Sequence, residues 1–330
     1  KITVVVPTRN CELTIRHLLT SLISQTFEHF RLVFVDSSTD ATPKIIKGFK
    51  EVELISLTPP SRGRNANTAR NIGVDKANTE LIAFTDGDCE VPMDWIETIH
   101  SCFSNNEYAA IGGSVSEKTN NFFALYCEYA FFPSAPVYDK KYEISKKNFH
   151  QLKLPLTCNL AIRKKIFNEM SFNESISSYE EFELLWRIVE KGDKIMVTPD
   201  LKVYHYHPDK LLTLIKRYLR DGVGCMEFCI LHFGCRFSLT RVFLLFGWFI
   251  LILHNLSLFY ANLYVFLIIE FMFFLMVLEV HYFGIFKRTK KLNTFLYPLL
   301  DVILCGITYP CGMIVGVFSA VYKKIKTGNI

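Results

Sequence analysis

No Cys-x-x-Cys pair occurs among the 10 cysteines of this sequence, and Cys225, Cys229 and Cys235 cluster without convincing ligand spacing. That removes the usual sign of a structural metal and leaves reduced thiols in a cytosolic domain as the simplest reading. No charge sign dominates either. The 37 Lys and Arg against 32 Asp and Glu give a net charge of +5, which does not by itself point to nucleic acid. The opening residues do not read as a secretory signal, because Ile2–Val6 is a strand-like run that goes straight into a turn.

What is abundant is apolar. Hydrophobic residues make up 50% of the chain and aromatics 14%, with 29 Phe. They are unevenly spread. Residues 1–210 carry most of the acids and turn formers, whereas 241–322 are nearly all apolar. This shift divides the chain into 1–212, a basic amphipathic linker at 213–240, and an apolar region at 241–330.

The first part alternates strand and helix. Runs 2–6 (ended by Pro7), 31–36, 52–57, 80–86 and 109–115 are apolar and rich in β-branched residues, and read as strands. Leu13–Ser24, Thr42–Phe49, Asn67–Lys76 and Trp95–Phe103 have helical spacing between them. Such βαβ order implies an α/β fold with a mainly parallel sheet. Ligands bind such sheets beyond the carboxyl ends of the strands. Three of these ends are polar: Pro7–Asn10, Asp36–Asp40 and Asp86–Asp88. Each alone could be a helix cap or a turn; together they are expected to converge on one crevice.

Apolar runs at about 242–260 and 263–283 are each long enough to cross a bilayer core. A short polar turn near Tyr260–Asn262 joins them. Basic residues gather at 209–220 and 287–291, either as solvated helix ends or attracted to anionic membrane lipids. A third apolar run, about 295–322, contains Pro298, Asp301, Gly306, Pro310, Gly312 and Gly316, and KKIK closes it. With the basic clusters on the cytosolic side, the expectation is a two-helix hairpin and a third segment that bends back or lies at the interface. The alternative is a third crossing. His254, Glu270 and Glu279 are polar within the apolar runs, and Glu270 has no evident role.

FTDGDCEVPMDW (84–95) carries the strongest chemical signal. A strand delivers Asp86 and Asp88 at spacing i, i+2 across Gly87. Carboxylate oxygens suit Mg²⁺ or Mn²⁺, and a cation held there would bridge a pyrophosphate. Calcium loops and plain turns share Asp-Gly-Asp, but the strand before it and Pro-x-x-Trp after it narrow the choice.

With those residues, the sequence resembles the family 2 glycosyltransferases of GT-A fold. The matching stretches are VVVPTRN (4–10), VDSSTDAT (35–42), ARNIGVDKA (69–77), TDGDCEVPMDWIE (85–97), CNLAIRKKIF (158–167), EEFELLWRI (180–188) and VYHYHP (203–208), in the family's order over roughly 1–224. The resemblance implies a GT-A-type, Rossmann-like mixed-sheet domain followed by a helical transmembrane region, and inverting transfer from a UDP- or GDP-sugar. It implies that Pro7, Thr8 and Asn10 line the nucleotide pocket, that Asp36 contacts the base, and that Arg70 lies near the diphosphate. Asp86 and Asp88 match the motif for metal and ribose. Glu180–Glu181 stands where the family usually has Glu-Asp, so Glu181, a methylene longer, is the expected general base. Glu183 is the next candidate, with a structural role in the pattern. Without the resemblance, these acids read as a helix start.

His205 and His207 follow a strand and could both face the metal, or one could be buried and the other at the surface. Arg217 and Arg220 share a helix face and could hold the donor diphosphate, a lipid phosphate or headgroups. A domain beside a membrane hairpin suits a lipid-linked acceptor, either polyisoprenyl phosphate or a lipid-linked saccharide, on the cytosolic face. Three rivals remain. A processive polysaccharide synthase usually carries Gln-x-x-Arg-Trp, where this chain has KRYLRDG. A sugar-1-phosphate nucleotidyltransferase expects a Gly-rich loop, and residues 7–12 have no glycine. A non-catalytic membrane scaffold or transporter would not need the intact acids.

Overall fold

The computed structural model describes residues 1–57, 65–104, 107–130, 135–261 and 263–327. They fall into two units. The sheet unit is Lys1–Asn120, Ala135–Ser175 and Glu180–His207; the helical unit is Asn121–Ser134, Ile176–Tyr179 and Pro208–Ile330.

In the sheet unit, β1 (Ile2–Thr8), α1 (Ile15–Ile23), β2 (Phe30–Asp36), α2 (Thr42–Ile46), β3 (Val52–Ser56), α3 (Ala66–Lys76) and β4 (Leu81–Phe84) alternate as the sequence predicts. β3, β2, β1 and β4 lie side by side and parallel. The apolar residues of β1 and β4, and Leu32–Val35 of β2, are buried on both faces, as a helix-covered parallel sheet requires, while those of the edge strand β3 are half-buried. The carboxyl ends of β1, β2 and β4 therefore share one edge. Strand β1 does not end before Pro7. It continues to Thr8, pairing Pro7 with Val35 and Thr8 with Asp36. The ladder to β4 stops at Val5–Phe84, so no bond on that side asks for the donor that Pro7 lacks.

Next come β5 (Cys89–Glu90), α4 (Trp95–Ser104), β6 (Ala110–Glu117), α5 (Phe122–Tyr129, in the helical unit), β7 (Tyr142–Ile144), β8 (Leu160–Arg163), α6 (Glu180–Glu190) and β9 (Ile195–His205). β8, which the sequence did not announce as a strand, enters antiparallel between β4 and β6. The 9-stranded sheet is thus mixed, in the order β3-β2-β1-β4-β8-β6-β9-β5 with β7 on β9, and the mainly parallel reading holds only for its first half. Trp95 of the Pro-x-x-Trp anchors the chain after the β4 tip. It is 1% exposed, with its indole N–H donating to Asn159 Oδ1 at 2.9 Å. Truncating it would cost on the order of 3–5 kcal/mol.

The helical unit contains α7 (Leu211–Leu231), α8 (Arg236–Tyr260), α9 (Tyr264–Thr289), α10 (Tyr297–Ile303) and α11 (Tyr309–Thr327). Among the described residues, three stretches are long and apolar enough to cross a membrane: Arg236–Tyr260, Tyr264–Lys287 and Leu292–Lys326, with mean hydropathy 2.1, 2.0 and 1.9. Asn262, in the expected turn, lies outside the described residues. His254 Nε2 and Glu270 Oε1 lie 2.9 Å apart and bridge α8 and α9.

The third run is helical along Leu292–Lys326. α10 continues through a π turn, Leu304–Thr308, into α11. Pro310 has no N–H for the carbonyl one turn earlier, and its ring would crowd that carbonyl in a regular α-helix. The wider π turn accommodates it, and Trp248 Nε1–H of α8 donates to the released Gly306 carbonyl at 2.8 Å. Asp301 is likewise satisfied, accepting from Tyr126 and Tyr282 hydroxyls at 2.6 Å each, which ties α5 and α9 to α10.

Candidate active site

The tips of β1 and β2 are joined by hydrogen bonds. Thr8 Oγ1 donates to Asp36 Oδ1 at 2.8 Å, Ser38 Oγ donates to the same oxygen at 2.7 Å, and Ser38 N–H to Oδ2 at 3.2 Å. Asp36 is buried, so these donors stabilise its charge. Asn10 has φ of 52°, a left-handed conformation that Asn tolerates. Its Oδ1 accepts from Thr39 N–H and its own N–H donates to Ser38 Oγ, both at 2.8 Å. Pro7, Thr8, Asn10 and Asp36 thus form one rigid rim.

The β4 tip locks against that rim. Thr14 Oγ1 donates to the Gly87 carbonyl at 3.0 Å. A Cβ on Gly87 would stand 2.7 Å from Cys11 Sγ and 3.2 Å from Thr8 Cγ2. Only glycine allows this approach. Cys11 was not foreseen. Burial pushes its thiol up to about 12, with the charges of Asp88, Asp36 and Asp40 adding to the rise against a lowering hydrogen bond from Thr42.

Asp86 and Asp88 diverge. Asp86 Oδ1 lies 3.1 Å from Arg70 Nη2, while Arg70 Nη1 lies 2.8 Å from Glu180 Oε1. The Arg70 side chain is 3% exposed. Burial alone would lower its pKa, but Asp86, Glu180 and Glu181 outweigh it and raise the value above the usual arginine range. Both terminal nitrogens that the sequence reading aimed at a diphosphate are committed to carboxylates. Glu181 is buried at the start of α6. Glu183 is held by Arg187, Nε to Oε1 at 2.8 Å and Nη2 to Oε2 at 2.7 Å, a structural pairing.

Asp88, 43% exposed, lies 3.3 Å from His205 Nε2. His207 stacks on His205 with centroids 4.4 Å apart. Among the described residues, the group able to hold a metal is Asp88, Cys89 and His205, whose ligand atoms lie within 4.8 Å of one another. Asp86 and His207, expected in the metal set, are not in it. Asp86 faces the guanidinium instead, and His207 is the buried ring of the stacked pair.

Cys89 was missed by the sequence reading, although it follows Asp88 directly. Its place opposite His205 in the β5–β9 ladder could not be read locally. Burial, then its contact with Cys158, holds its thiol well above the ordinary range. A neutral, soft thiol does not suit Mg²⁺ or Mn²⁺. An Asp88 oxygen suits either ion and a His205 nitrogen can join it on Mn²⁺; His205 Nδ1 is buried without a hydrogen-bond partner, while Nε2 faces Asp88. Arg217 and Arg220 belong to the helical unit, each with Nε 3.7 Å from Asp221.

The family model for glycosyl transferase family 2 matches residues 3–171, more than half of the chain. The chain belongs to this family. Among the relatives of this family 2 glycosyltransferase is glycosyltransferase AglE of Haloferax volcanii, 26% identical over 253 residues, covering 75% of this chain and 79% of AglE. The GalNAc(5)-diNAcBac-PP-undecaprenol beta-1,3-glucosyltransferase of Campylobacter jejuni is 25% identical over 235 residues, 69% of this chain and 72% of that one. Mannosyltransferase PcManGT from Pyrobaculum calidifontis, solved with GDP-Man and Mn²⁺, superposes with a TM-score of 0.60 at 15% identity over 98% of this chain and 86% of its own. That likeness establishes the GT-A fold of this glycosyltransferase.

Proposed function

We propose that this enzyme transfers a sugar, with inversion, from a UDP- or GDP-sugar to a lipid-linked acceptor at the cytosolic face of a membrane. The carrying observation is the pairing of Asp88 with His205 beside the β1–β2 rim. Asp88 and His205 would hold Mn²⁺ or Mg²⁺, which when bound supplies positive charge to a diphosphate. The rim of Pro7, Thr8, Asn10 and Asp36 orients the nucleoside. Arg70 holds Asp86 and Glu180 in place. Glu181 accepts the proton of the acceptor hydroxyl on its carboxylate. The acceptor oxygen bonds to the anomeric carbon as the bond from that carbon to the diphosphate breaks, and the nucleoside diphosphate leaves with the electron pair.

Three observations support the acceptor class. Among the described residues, three stretches are long and apolar enough to cross a membrane. Arg217 and Arg220, on the helix before them, would hold a donor or lipid phosphate. The Campylobacter relative is named for an undecaprenol-linked saccharide. On this reading residues 1–212 are catalytic, 213–240 link, and 241–330 anchor.

The test is a screen of UDP- and GDP-sugars against lipid extracts, with full-length protein in vesicles, with and without Mn²⁺ or Mg²⁺. Transfer should need the metal, and Glu181→Gln should lower it by about a hundredfold or more. Wild-type turnover in Glu181→Gln, or in excess chelator, would count against the scheme.

A further inference from the structure

Asp88 and His205 stand on different parts of the sheet. Asp88 directly precedes β5, the last strand of the order, and His205 closes β9. The ladder that sets one against the other has two residue pairs, Cys89 with His205 and Glu90 with Tyr204. A ladder so short at a sheet edge opens readily unless side chains reinforce it. The imidazole also lacks the usual support. The ring of a metal-ligating histidine is commonly oriented by a hydrogen bond from its other nitrogen, and His205 Nδ1 is buried without a partner. Its orientation therefore depends on the stacked His207 ring, 4.4 Å away, and on the backbone to either side.

That backbone is tied at each residue. The His205 carbonyl accepts from Lys118 N–H at 3.2 Å, and Tyr206 N–H donates to the Asp88 carbonyl at 2.9 Å. His207 N–H donates to Glu117 Oε2 at 3.2 Å. The Glu90 side chain, on β5, joins these segments. Its Oε1 accepts from Lys118 Nζ at 2.8 Å, and its Oε2 accepts from the Tyr206 hydroxyl at 3.2 Å. His17 of α1 stacks on the Tyr206 ring, with centroids 5.4 Å apart. All of these residues belong to the sheet unit.

We propose that Glu90 and Tyr206 are positioning residues for Asp88 and His205. Their hydrogen bond closes a small loop. It runs from Asp88 along the chain to Glu90, across to Tyr206, and back to His205. The Tyr206 N–H bond to the Asp88 carbonyl braces the loop from inside. The loop holds the carboxylate and the imidazole 3.3 Å apart. Neighbouring ligands at right angles on one octahedral ion, each about 2.1 Å from it, stand about 3 Å apart. The separation is therefore set before an ion arrives, and binding does not have to order the two strands. Loosening the loop should weaken the hold on the cation rather than abolish the site. The inference rests on reading Asp88 and His205 as the cation's ligands.

The experiment uses full-length protein in lipid vesicles. Binding of UDP and GDP is measured by calorimetry over a series of Mn²⁺ concentrations. The readout is the Mn²⁺ concentration that gives half-maximal nucleotide binding. Loss of folded protein lowers the amount bound and leaves this midpoint in place, whereas a loosened cation site raises it. In Tyr206→Phe and in Glu90→Leu the midpoint should rise by about tenfold. Glu90→Gln keeps an acceptor for the Tyr206 hydroxyl and should recover most of what Glu90→Leu loses. Combining Tyr206→Phe with Glu90→Leu should do no more than either alone, because both break the same bond. Hydrogen exchange at the Tyr206 amide should accelerate by about fivefold in Tyr206→Phe. An unchanged midpoint in both Tyr206→Phe and Glu90→Leu overturns the positioning role, and unchanged exchange overturns the brace between the strands. Asp88→Ala is run alongside. If its nucleotide binding keeps the parent's dependence on Mn²⁺, the ligand assignment fails by itself, and exchange at Tyr206 still decides the brace.

Discussion

Replacing Arg70 by methionine removes the cation that, among the described residues, Asp86 and Glu180 share. The change keeps roughly the volume and deletes two ion pairs, at 3.1 and 2.8 Å, around a side chain 3% exposed. Stripping one partner from a fully buried pair costs about 3–5 kcal/mol. Here the two carboxylates keep some solvent, so a loss of about 2–4 kcal/mol follows, or a melting temperature lower by roughly 5–12 °C. Arg70→Lys should lose about half as much, because a single ammonium lacks the fork that reaches both acids. Turnover should fall in both variants, since Asp86 and Glu180, no longer bridged by the guanidinium, repel each other and disturb the first turn of α6 that carries Glu181. Thermal unfolding in detergent, followed by intrinsic fluorescence, measures the first effect. An Arg70→Met protein melting within about 1 °C of the parent would refute the idea that this guanidinium organises the site.

Gly87→Ala should destabilise by about 1–3 kcal/mol through overpacking, because the new methyl meets Cys11 Sγ at 2.7 Å; adding Cys11→Ala should restore most of the melting temperature, and no recovery would place the strain elsewhere. With its thiol raised from 9.0 to about 12, Cys11 should react with maleimide at pH 8 about a thousandfold more slowly than an ordinary thiol, as read by mass spectrometry against Cys11→Ser. The folded state holds this proton to higher pH than the unfolded chain, so the group's contribution is complete below pH 9.0 and is lost as pH rises through about 12; labelling at an ordinary rate would refute the burial.

Much of the sheet unit was legible because its signals are local. Apolar β-branched runs ending in Asp36 and Asp86 specify strands with polar tips, and the order of strands and helices sets those tips on one edge. The long apolar helices were equally plain, since length and composition alone define them. What escaped depends on distant partners. β8 is short, and its antiparallel place is decided by β4 and β6. Asp86 and Asp88 look equivalent in sequence, yet α3 brings Arg70 to one and β9 brings His205 to the other. The third apolar run was read from its flanking basic clusters, and the bond that carries its helix past Pro310, from the Trp248 indole to the Gly306 carbonyl 58 positions away, could not be read locally.

Nucleotide binding to the full-length protein, followed by calorimetry with UDP and GDP in the presence and absence of Mn²⁺, bears most directly on the role of Asp88 and His205. Binding of one nucleotide should require Mn²⁺, vanish in Asp88→Ala, and need about tenfold more Mn²⁺ in His205→Ala. Metal-independent binding, or binding that survives Asp88→Ala unchanged, would show that these two side chains hold no cation for a sugar donor.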